Sequence, residues 1–465
     1  MNPVQDKNIF FVKNTLFLLT LVAVSNLCSC TQKSTIGNIE IKVEAPFEMP
    51  SIKVPDFTSS EKFPITDFGA VLGNQEKISQ AIEKAIDQAN KAGGGMVIIP
   101  EGEWITGKIH LKSNVNLHLN NGAVLLFSDN PKDYLPPVHT TWEGMECFNY
   151  SPLIYAYECQ NVAITGEGEL KAKMDVWEKW FTRPPAHMNS LKRLYNLAAK
   201  DRPVEERQMV GDSANLRPHF IQFNRSENIL VEGITITNSP FWVIHPYLSK
   251  DIVIRNVKVK AHGHNNDGVD PEMSQNILIE NCIFDQGDDA IAVKSGRNQD
   301  AWRLNTPTKN LVIKNCTVKN GHELLAIGSE LSGGIENVFV DSCEVLEGAK
   351  LNHLVYIKTN ERRGGYVKNI YVSNIKSGKI DKGILGIETD VLYQWRDLVP
   401  TYERRLTPIK DIFITNVVAK NVDFISHING NQEVPVKHIQ LKNIKVDSIR
   451  EQELINTNVI GFDIK

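Results

Sequence analysis

"NILIEN", residues 276–281, decides the fold, because the chain says it again and again. "DIVIRN" begins at Asp251, "NLVIKN" at Asn310, "NIYVSN" at Asn369, "DIFITN" at Asp411 and "HIQLKN" at His438. Looser copies begin at Asn228 ("NILVEG") and Asn337 ("NVFVDS"). Each copy is Asn or Asp, three β-branched or apolar residues, a polar residue and usually Asn. Successive starts lie 23, 25, 34, 27, 32, 42 and 27 residues apart. Short β runs at irregular spacings in the twenties and thirties indicate a solenoid in which every turn adds one rung. Leucine is too scarce at the required positions for a leucine-rich repeat, and a propeller needs four strands in about forty residues. The pattern predicts an all-β chain: a single-stranded, right-handed parallel β-helix. Asparagine at equivalent corners suits it, because Asn tolerates left-handed backbone and hydrogen-bonds in stacked turns.

Outside the repeats, "KISQAIEKAIDQANKAGGG" places Ile78, Ala81, Ile82, Ala85, Ile86 and Ala89 on one helical face, ended by Gly93–Gly95. A short helix there is expected to cap the open end of the stack. Residues from about 173 to 216 break the repeat and read as an insertion into a catalytic domain spanning 61–465. Trp177, Trp180 and Phe181 in it either line a groove or pack the insertion down; the sequence favours neither.

Lys7 and Lys13 precede an apolar run from Thr15 to Val24 and the residues "SNLCSC". That is the layout of a secretory signal over residues 1–30, with 31–60 as a linker. Leu27-Cys28-Ser29-Cys30 resembles a bacterial lipobox, which implies lipidation of Cys30 and a membrane-anchored, periplasm-facing protein of a Gram-negative cell. The run is short of the about 20 residues that span a bilayer, so the expected membrane contact is the lipid alone. A formal net charge of −4, with 23% charged residues, argues against nucleic acid as a partner. Cys282, Cys316 and Cys343 follow the repeat and are expected to stack as small buried hydrophobes. Cys147 and Cys159 are candidates for a disulfide. No Cys/His spacing suggests zinc.

The chemistry concentrates in "NNDGVDPEMSQNILIENCIFDQGDDAIAVKSG", residues 265–296. Asp267 and Asp288 lie 21 residues apart, close to one rung, which places them as neighbours on one face. Asp289 adjoins Asp288, and Asp270 follows Asp267. Crowded carboxylates cannot all ionise freely, so one is left protonated beside an ionised partner. An acid beside a base is what glycosidic hydrolysis needs. Following rungs add Gly321-His322-Glu323 and Tyr356-Ile357-Lys358.

"NNDGVDP", "GDDAIAVKSG", "GHELLAIGSELSGG" and "YIKTNERRGGY" resemble, in order and spacing, the N-T-D, G-D-D, G-H-G and R-I-K blocks of glycoside hydrolase family 28, the polygalacturonases and rhamnogalacturonases. "TDFGA" at 66–70 with "GGGMVIIPEGEW" at 93–104 resembles that family's N-terminal cap. The resemblance covers roughly residues 60 to 460. It implies hydrolysis of galacturonate-containing bonds in pectic polysaccharide with inversion, and no metal or cofactor. It implies Asp288 as general acid, Asp267 and Asp289 as activators of water, His322 as the residue that tunes the acid, and Lys358 as the partner of a substrate carboxylate. Further substrate contacts are expected from Tyr356, Asn265, Asp270, Glu323, Arg363 and His245.

The departures carry information. Glu323 stands for a glycine, and Tyr356 for the arginine that would grip a uronate bidentately. Arg362 or Arg363 is expected to compensate, and a rhamnogalacturonan-type substrate or exo-action becomes the preferred refinement. His262 and His264 read as turn residues. Trp242 divides between sugar platform and core, and Arg217 is a weaker groove candidate. Two other classes remain: a pectate-lyase-like, calcium-dependent eliminase, and a β-helical carbohydrate-binding protein without catalysis.

Overall fold

A computed structural model of the chain describes residues 36–211, 214–391 and 403–465. The signal and lipidation readings at residues 1–30 lie outside the described residues. No described helix is long and apolar enough to cross a membrane.

The repeats become strands in parallel register: Ile252, Ile277, Leu311, Val338, Ile370, Ile412 and Ile439 stand above one another, all buried. Each turn places two consecutive strands in one long parallel sheet and a third in a shorter sheet, making a right-handed parallel β-helix. The polar residue that opens each repeat is a corner. Asn228, Asp251, Asn276, Asn310, Asn337, Asn369, Asp411 and His438 all have φ between 55° and 60°. Their side chains form a ladder. Asn276 donates to Asp251 at 2.9 Å, Asn310 to Asn276 at 3.1 Å, Asn337 to Asn310 at 3.0 Å and Asn369 to Asn337 at 2.9 Å. A second ladder at the closing Asn links Asn443 to Asn416 at 2.8 Å and Asn416 to Asn374 at 3.0 Å. Inside, the Cys316 thiol lies against those of Cys282 and Cys343, the expected column.

The cap helix α1 (Gln75–Lys91) buries the six residues expected of it, with the Asn74 side chain capping Lys77 N at 3.0 Å. The stretch read as a linker folds from Ile36 onward. Strands Gly37–Ile41 and Ile52–Asp56 pair antiparallel and lie as a strap across an outward apolar row formed by Ala163, Leu230, Val253, Leu278, Val312 and Phe339. That row is the middle residue of each repeat's apolar triplet, which would otherwise meet water.

The insertion supplies α2 (Trp177–Phe181) and α3 (Pro185–Ala199). Trp177 and Trp180 are buried in the solenoid core, so its tryptophans pack the insertion down. Leu191, Leu194 and Tyr195 of α3 join Trp142, Met145, Phe241 and Trp242 in a second apolar cluster. Trp142 and Met145 flank the two-residue turn of an antiparallel hairpin, Val138–Trp142 with Met145–Asn149. Cys147 sits in this cluster and Cys159 in the main core, both as free thiols. The disulfide is therefore not formed: the two side chains belong to different packing layers.

The ladder has a buried chemical fault at Asp251. Asp251 accepts from Asn276 but has no N–H to offer, and the buried Oδ1 of Asn228 below it has no partner. Burial also raises the Asp251 pKa. Asp251→Asn would supply the missing donor at a left-handed corner that Asn adopts readily. We expect it to stabilise the protein by about 1 kcal/mol, read as a higher urea midpoint with an unchanged m-value.

Candidate active site

The register is one residue different from the spacing argument. Val269 bridges Ile291 and Glu272 bridges Lys294, an offset that sets Asp267 beside Asp289. Gly268 N donates to Asp289 O at 3.0 Å. Glycine is required there, since a Cβ on residue 268 would fall 2.6 Å from Ala290 O. The same column runs on through Glu323 and His353. Asp288 is turned the other way, toward the rim, where its Oδ1 meets His322 Nδ1 at 3.1 Å.

Asp267, Asp288, Asp289 and His322 line one cavity of about 350 Å³, together with Asn265, His264, Lys358, Arg362 and Arg363. Asp267 and Asp289 form its buried floor; Asp288 and His322, with side chains 20% and 52% exposed, form its mouth. Lys358 Nζ lies 3.4 Å from Asp289 Oδ2.

Burial and charge divide the carboxyls. Burial, then the charge of Asp288, pushes Asp267 up to about 7. Burial, then the charge of Asp267, also raises Asp270 well above the usual carboxylate range, so this pair keeps a proton. Asp289 is also buried, yet Lys358 and a hydrogen bond from Glu323 bring it down to about 2. Glu323 is held well above the usual range by burial and by Asp289. The hydrogen bond to Asp288 raises the His322 pKa against the opposing effect of burial. The site thus holds an ionised floor carboxylate beside a pair of carboxyls that keeps a proton, with a histidine at the mouth that favours its charged form.

Under the floor lies a lysine that the sequence reading did not single out. Lys294 Nζ is 3.5 Å from Asp267 Oδ2, 3.6 Å from Asp270 Oδ1 and 3.5 Å from Glu330 Oε2. It also stands 4.5 Å from the Trp242 ring centroid. Glu330 pairs in turn with Arg297, and Arg297 with Glu143 at the hairpin tip at 3.2 Å. Six residues after Asp288, Lys294 is the one charged residue of "AIAVKSG", and that was the signal available.

Other expectations are corrected. Asp270 and Glu323 are buried behind the floor and do not line the cavity. His245 is fully buried, held by Gln222 and by Glu272 at 2.8 Å, because the hairpin lies over its rung and Thr140 closes onto Gln222. Tyr356 lies beside the cavity, stacked on His353 at 4.3 Å. Arg363 lines it but spends donors on Ser329 O and Asn298 Oδ1. Trp242 lines the cavity from below at 2% exposure, a support for Lys294. Arg217 is buried and clamps the 264–265 loop, donating to His264 O and Asn265 Oδ1. His262 pairs with Asp285 as a turn residue, whereas His264 enters the cavity, accepting from Arg183 Nη2 at 2.8 Å. Burial and the two arginines bring His264 down to about 4. Asp288, Asp289 and His322 each offer one ligand atom within 4.8 Å of the others, a spacing that a cation could bridge.

Residues 206–460 match the family model for glycosyl hydrolases family 28. A probable polygalacturonase of Vitis vinifera is 28% identical over 398 residues, 82% of this chain and 73% of that protein. An exo-poly-alpha-D-galacturonosidase of Dickeya chrysanthemi is 28% identical over 302 residues, 60% of this chain and 49% of that one. Among solved structures, a hyperthermoactive exopolygalacturonase from Thermotoga maritima superposes with a TM-score of 0.80 at 34% identity, over 89% of this chain and 94% of that one.

The buried charges make a stability prediction. The folded pKa of Asp267, about 7, exceeds the about 4 of an unfolded aspartate. Its contribution to stability is therefore complete below pH 4 and is lost as pH rises through 7. Asp267→Asn should flatten that slope in urea titrations between pH 4 and 8. Lys294→Met should cost about 3 kcal/mol, since it strands buried carboxylates, and adding Asp270→Asn should return part of that loss.

Proposed function

The chain belongs to glycosyl hydrolases family 28, and from that premise we propose that it is an exo-acting hydrolase of galacturonan. It acts from a chain end with inversion at the anomeric carbon. The observation that carries this reading is the meeting of Asp267, Asp288, Asp289, His322 and Lys358 around one cavity. Asp288 gives its proton to the glycosidic oxygen, and His322, 3.1 Å away, shares that proton with it. Asp267 and Asp289 take up the attacking water between floor and sugar. Lys358, beside Asp289, meets a uronate carboxylate. No step requires a metal or cofactor.

Exo-action is supported by the hairpin. Glu143 at its tip and Arg183 and Tyr195 of the insertion all line the cavity, so the groove of an open solenoid face ends in a wall. The Thermotoga and Dickeya relatives, an exopolygalacturonase and an exo-poly-alpha-D-galacturonosidase, lie on the same side. Arg183, Lys358, Arg362 and Arg363 give the cavity a cationic lining suited to uronate neighbours, which favours galacturonan over rhamnogalacturonan. The exported, lipid-anchored, periplasm-facing location expected from Cys30 belongs to this reading, and the mass of the mature N-terminus tests it.

Purified protein incubated with polygalacturonate should release saturated monogalacturonate from the start of the reaction, with the inverted anomer visible by NMR. Asp288→Asn should lower kcat by about 10²- to 10⁴-fold. Rhamnogalacturonan oligosaccharides should be cut more slowly; the reverse order restores them as the substrate. Unsaturated products abolished by EDTA would instead mean elimination with a cation at Asp288, Asp289 and His322.

The pH profile of kcat/KM should be bell-shaped. Activity rises as Asp267, pushed up to about 7, loses its proton, and falls as His322 loses its own above the ordinary histidine range. An acid limb near 2, the region of Asp289, would assign the water to Asp289 alone.

A further inference from the structure

Resting on the lipid-anchored reading of Cys30, we propose that the capped end of the solenoid is a bilayer-contact surface. The Val71–Leu72 turn enters the lipid at one end of α1, and the chain leaves toward Cys30 at the other. The molecule stands on its cap, with the cavity facing away.

Three observations point there. First, the turn "GAVLG", residues 69–73, presents apolar side chains to solvent. Val71 and Leu72 are 49% and 57% exposed. Gly69 and Gly73 bracket them with φ of 90° and 78°, and a Cβ at either would meet nothing within 4 Å. The backbone of the turn therefore stands clear of the body. Single exposed apolar residues are ordinary on a protein surface. Two adjacent ones on a turn that stands clear can enter the boundary between headgroups and acyl chains.

Second, the chain exit is placed to match. The described residues begin at Ile36, beside Gly94, whose Cβ would fall 2.6 Å from Ile36 Cγ1. Gly94 follows the end of α1, and Asn74, which caps its start, follows the Val71–Leu72 turn. Tip and exit thus lie at opposite ends of one 17-residue helix, about 25 Å apart. Five residues separate Cys30 from Ile36, a stretch that reaches about 20 Å at full extension. A lipid on Cys30 keeps one end of α1 within that distance of the bilayer, and the tip gives the other end its own support.

Third, the helix between them carries a line of cations. Lys77, Lys84 and Lys91 recur every seven residues on its exposed side, a spacing that suits lipid phosphates. Glu76 and Glu83 take the neighbouring flank, where Asp87 pairs with Lys112 at 2.5 Å.

The orientation accords with action from a chain end. Ile109, Ile154, Ile221, Ile244 and Val269 climb the shorter sheet from the cap one rung at a time, so the acids stand about 20 Å above the first of these rungs. The hairpin closes over the rungs of Gln222 and His245, between cap and acids. The wall therefore faces the bilayer, and the open end of the cavity faces polymer arriving from the aqueous side.

The test tethers the mature chain, beginning at Cys30, to vesicles of phosphatidylethanolamine and phosphatidylglycerol through a maleimide lipid; the cysteines of the folded body are buried. Leu72→Trp and, near the opposite end, Ile460→Trp, at a site 56% exposed, are each compared with the unsubstituted chain. Brominated acyl chains should quench the fluorescence added by Leu72→Trp and leave that added by Ile460→Trp unchanged, with native far-ultraviolet spectra in both. Adding Lys77→Gln, Lys84→Gln and Lys91→Gln should weaken the quenching of Leu72→Trp; full quenching there would remove the lysines from the surface. Equal quenching at both sites, at neither, or at Ile460→Trp alone would overturn the proposal. A native N-terminus whose mass shows no lipid would overturn the anchoring reading alone, because the tethered contrast does not depend on it.

Discussion

The register of the coils is the constraint on which everything else depends. In a parallel β-helix, every coil must return its strands directly above those below. Here that is enforced at two corners per turn by residues in the left-handed region, most of them asparagines, whose amides donate to the corner beneath. An amide can accept and donate at once, so it can be repeated without limit; a carboxylate cannot, and Asp251 leaves a gap of one hydrogen bond. Because the repeats are locked while the coils range in length from 23 to 42 residues, the surplus chain is expelled into the connections between strands. The 34-residue coil from Asn276 to Asn310 carries Asp288 and Asp289 in the turn between strands Ile283–Gln286 and Ile291–Val293, and Lys294 and the helix α4 (Asn298–Leu304) after the second of these. The site sits at one edge of the stack because only there is the sequence free of the ladder.

The same register makes the electrostatics. Columns of equivalent positions set Asp267, Asp289 and Glu323 on successive rungs, at the spacing between neighbouring strands of a sheet, about 4.8 Å. Three carboxyls that close, in a buried column, cannot all be charged. The conflict is resolved by alternation: Asp289 is ionised against Lys358, Glu323 holds a proton and donates to it, and Asp267 shares its surroundings with the protonated Asp270. Lys294 beneath them is what allows any of the lower group to ionise. The departure at Glu323 from the family's glycine becomes intelligible on these terms. It adds no contact in the cavity; it donates a hydrogen bond to the one carboxylate that must remain charged, while its other side binds His353 at 3.1 Å.

Much of this was legible in the sequence, for a physical reason. A solenoid writes its core as a repeated phrase, so the strands, the corners, the cysteine column and the capping helix could be read directly, and the four motif blocks located Asp267, Asp288, Asp289, His322 and Lys358. What escaped were contacts between distant segments. The one-residue shift that pairs Asp267 with Asp289 comes from loop length within a coil, to which counting residues is blind. The strap over Ala163 to Phe339 escaped because its sequence has no repeat. His245 was misplaced because the hairpin that buries it lies about a hundred residues earlier in the chain. "VHTTW" and "MECFN" around Glu143-Gly144 did carry a hairpin signal, two alternating runs about a two-residue turn, but nothing in them says where the tip will rest.

That tip explains why the molecule bothers with an insertion at all. The face of a β-helix is a groove open at both ends, and repeats alone cannot close it, since each rung resembles the next. Closing it needs a segment that leaves the ladder, and a segment that leaves the ladder needs a core of its own. The cluster of Trp142, Met145, Leu191, Leu194, Tyr195, Phe241 and Trp242 is that core. It is not separate from the chemistry: Trp242 faces the cluster through Phe241, stacked at 5.0 Å, and Lys294 on its other side. Ions complete the connection, from Glu143 through Arg297 and Glu330 to Lys294 and Asp267. The wall that ends the groove and the floor that holds the acids are therefore one ionic structure, so a change that loosens the hairpin also alters the charge under Asp267.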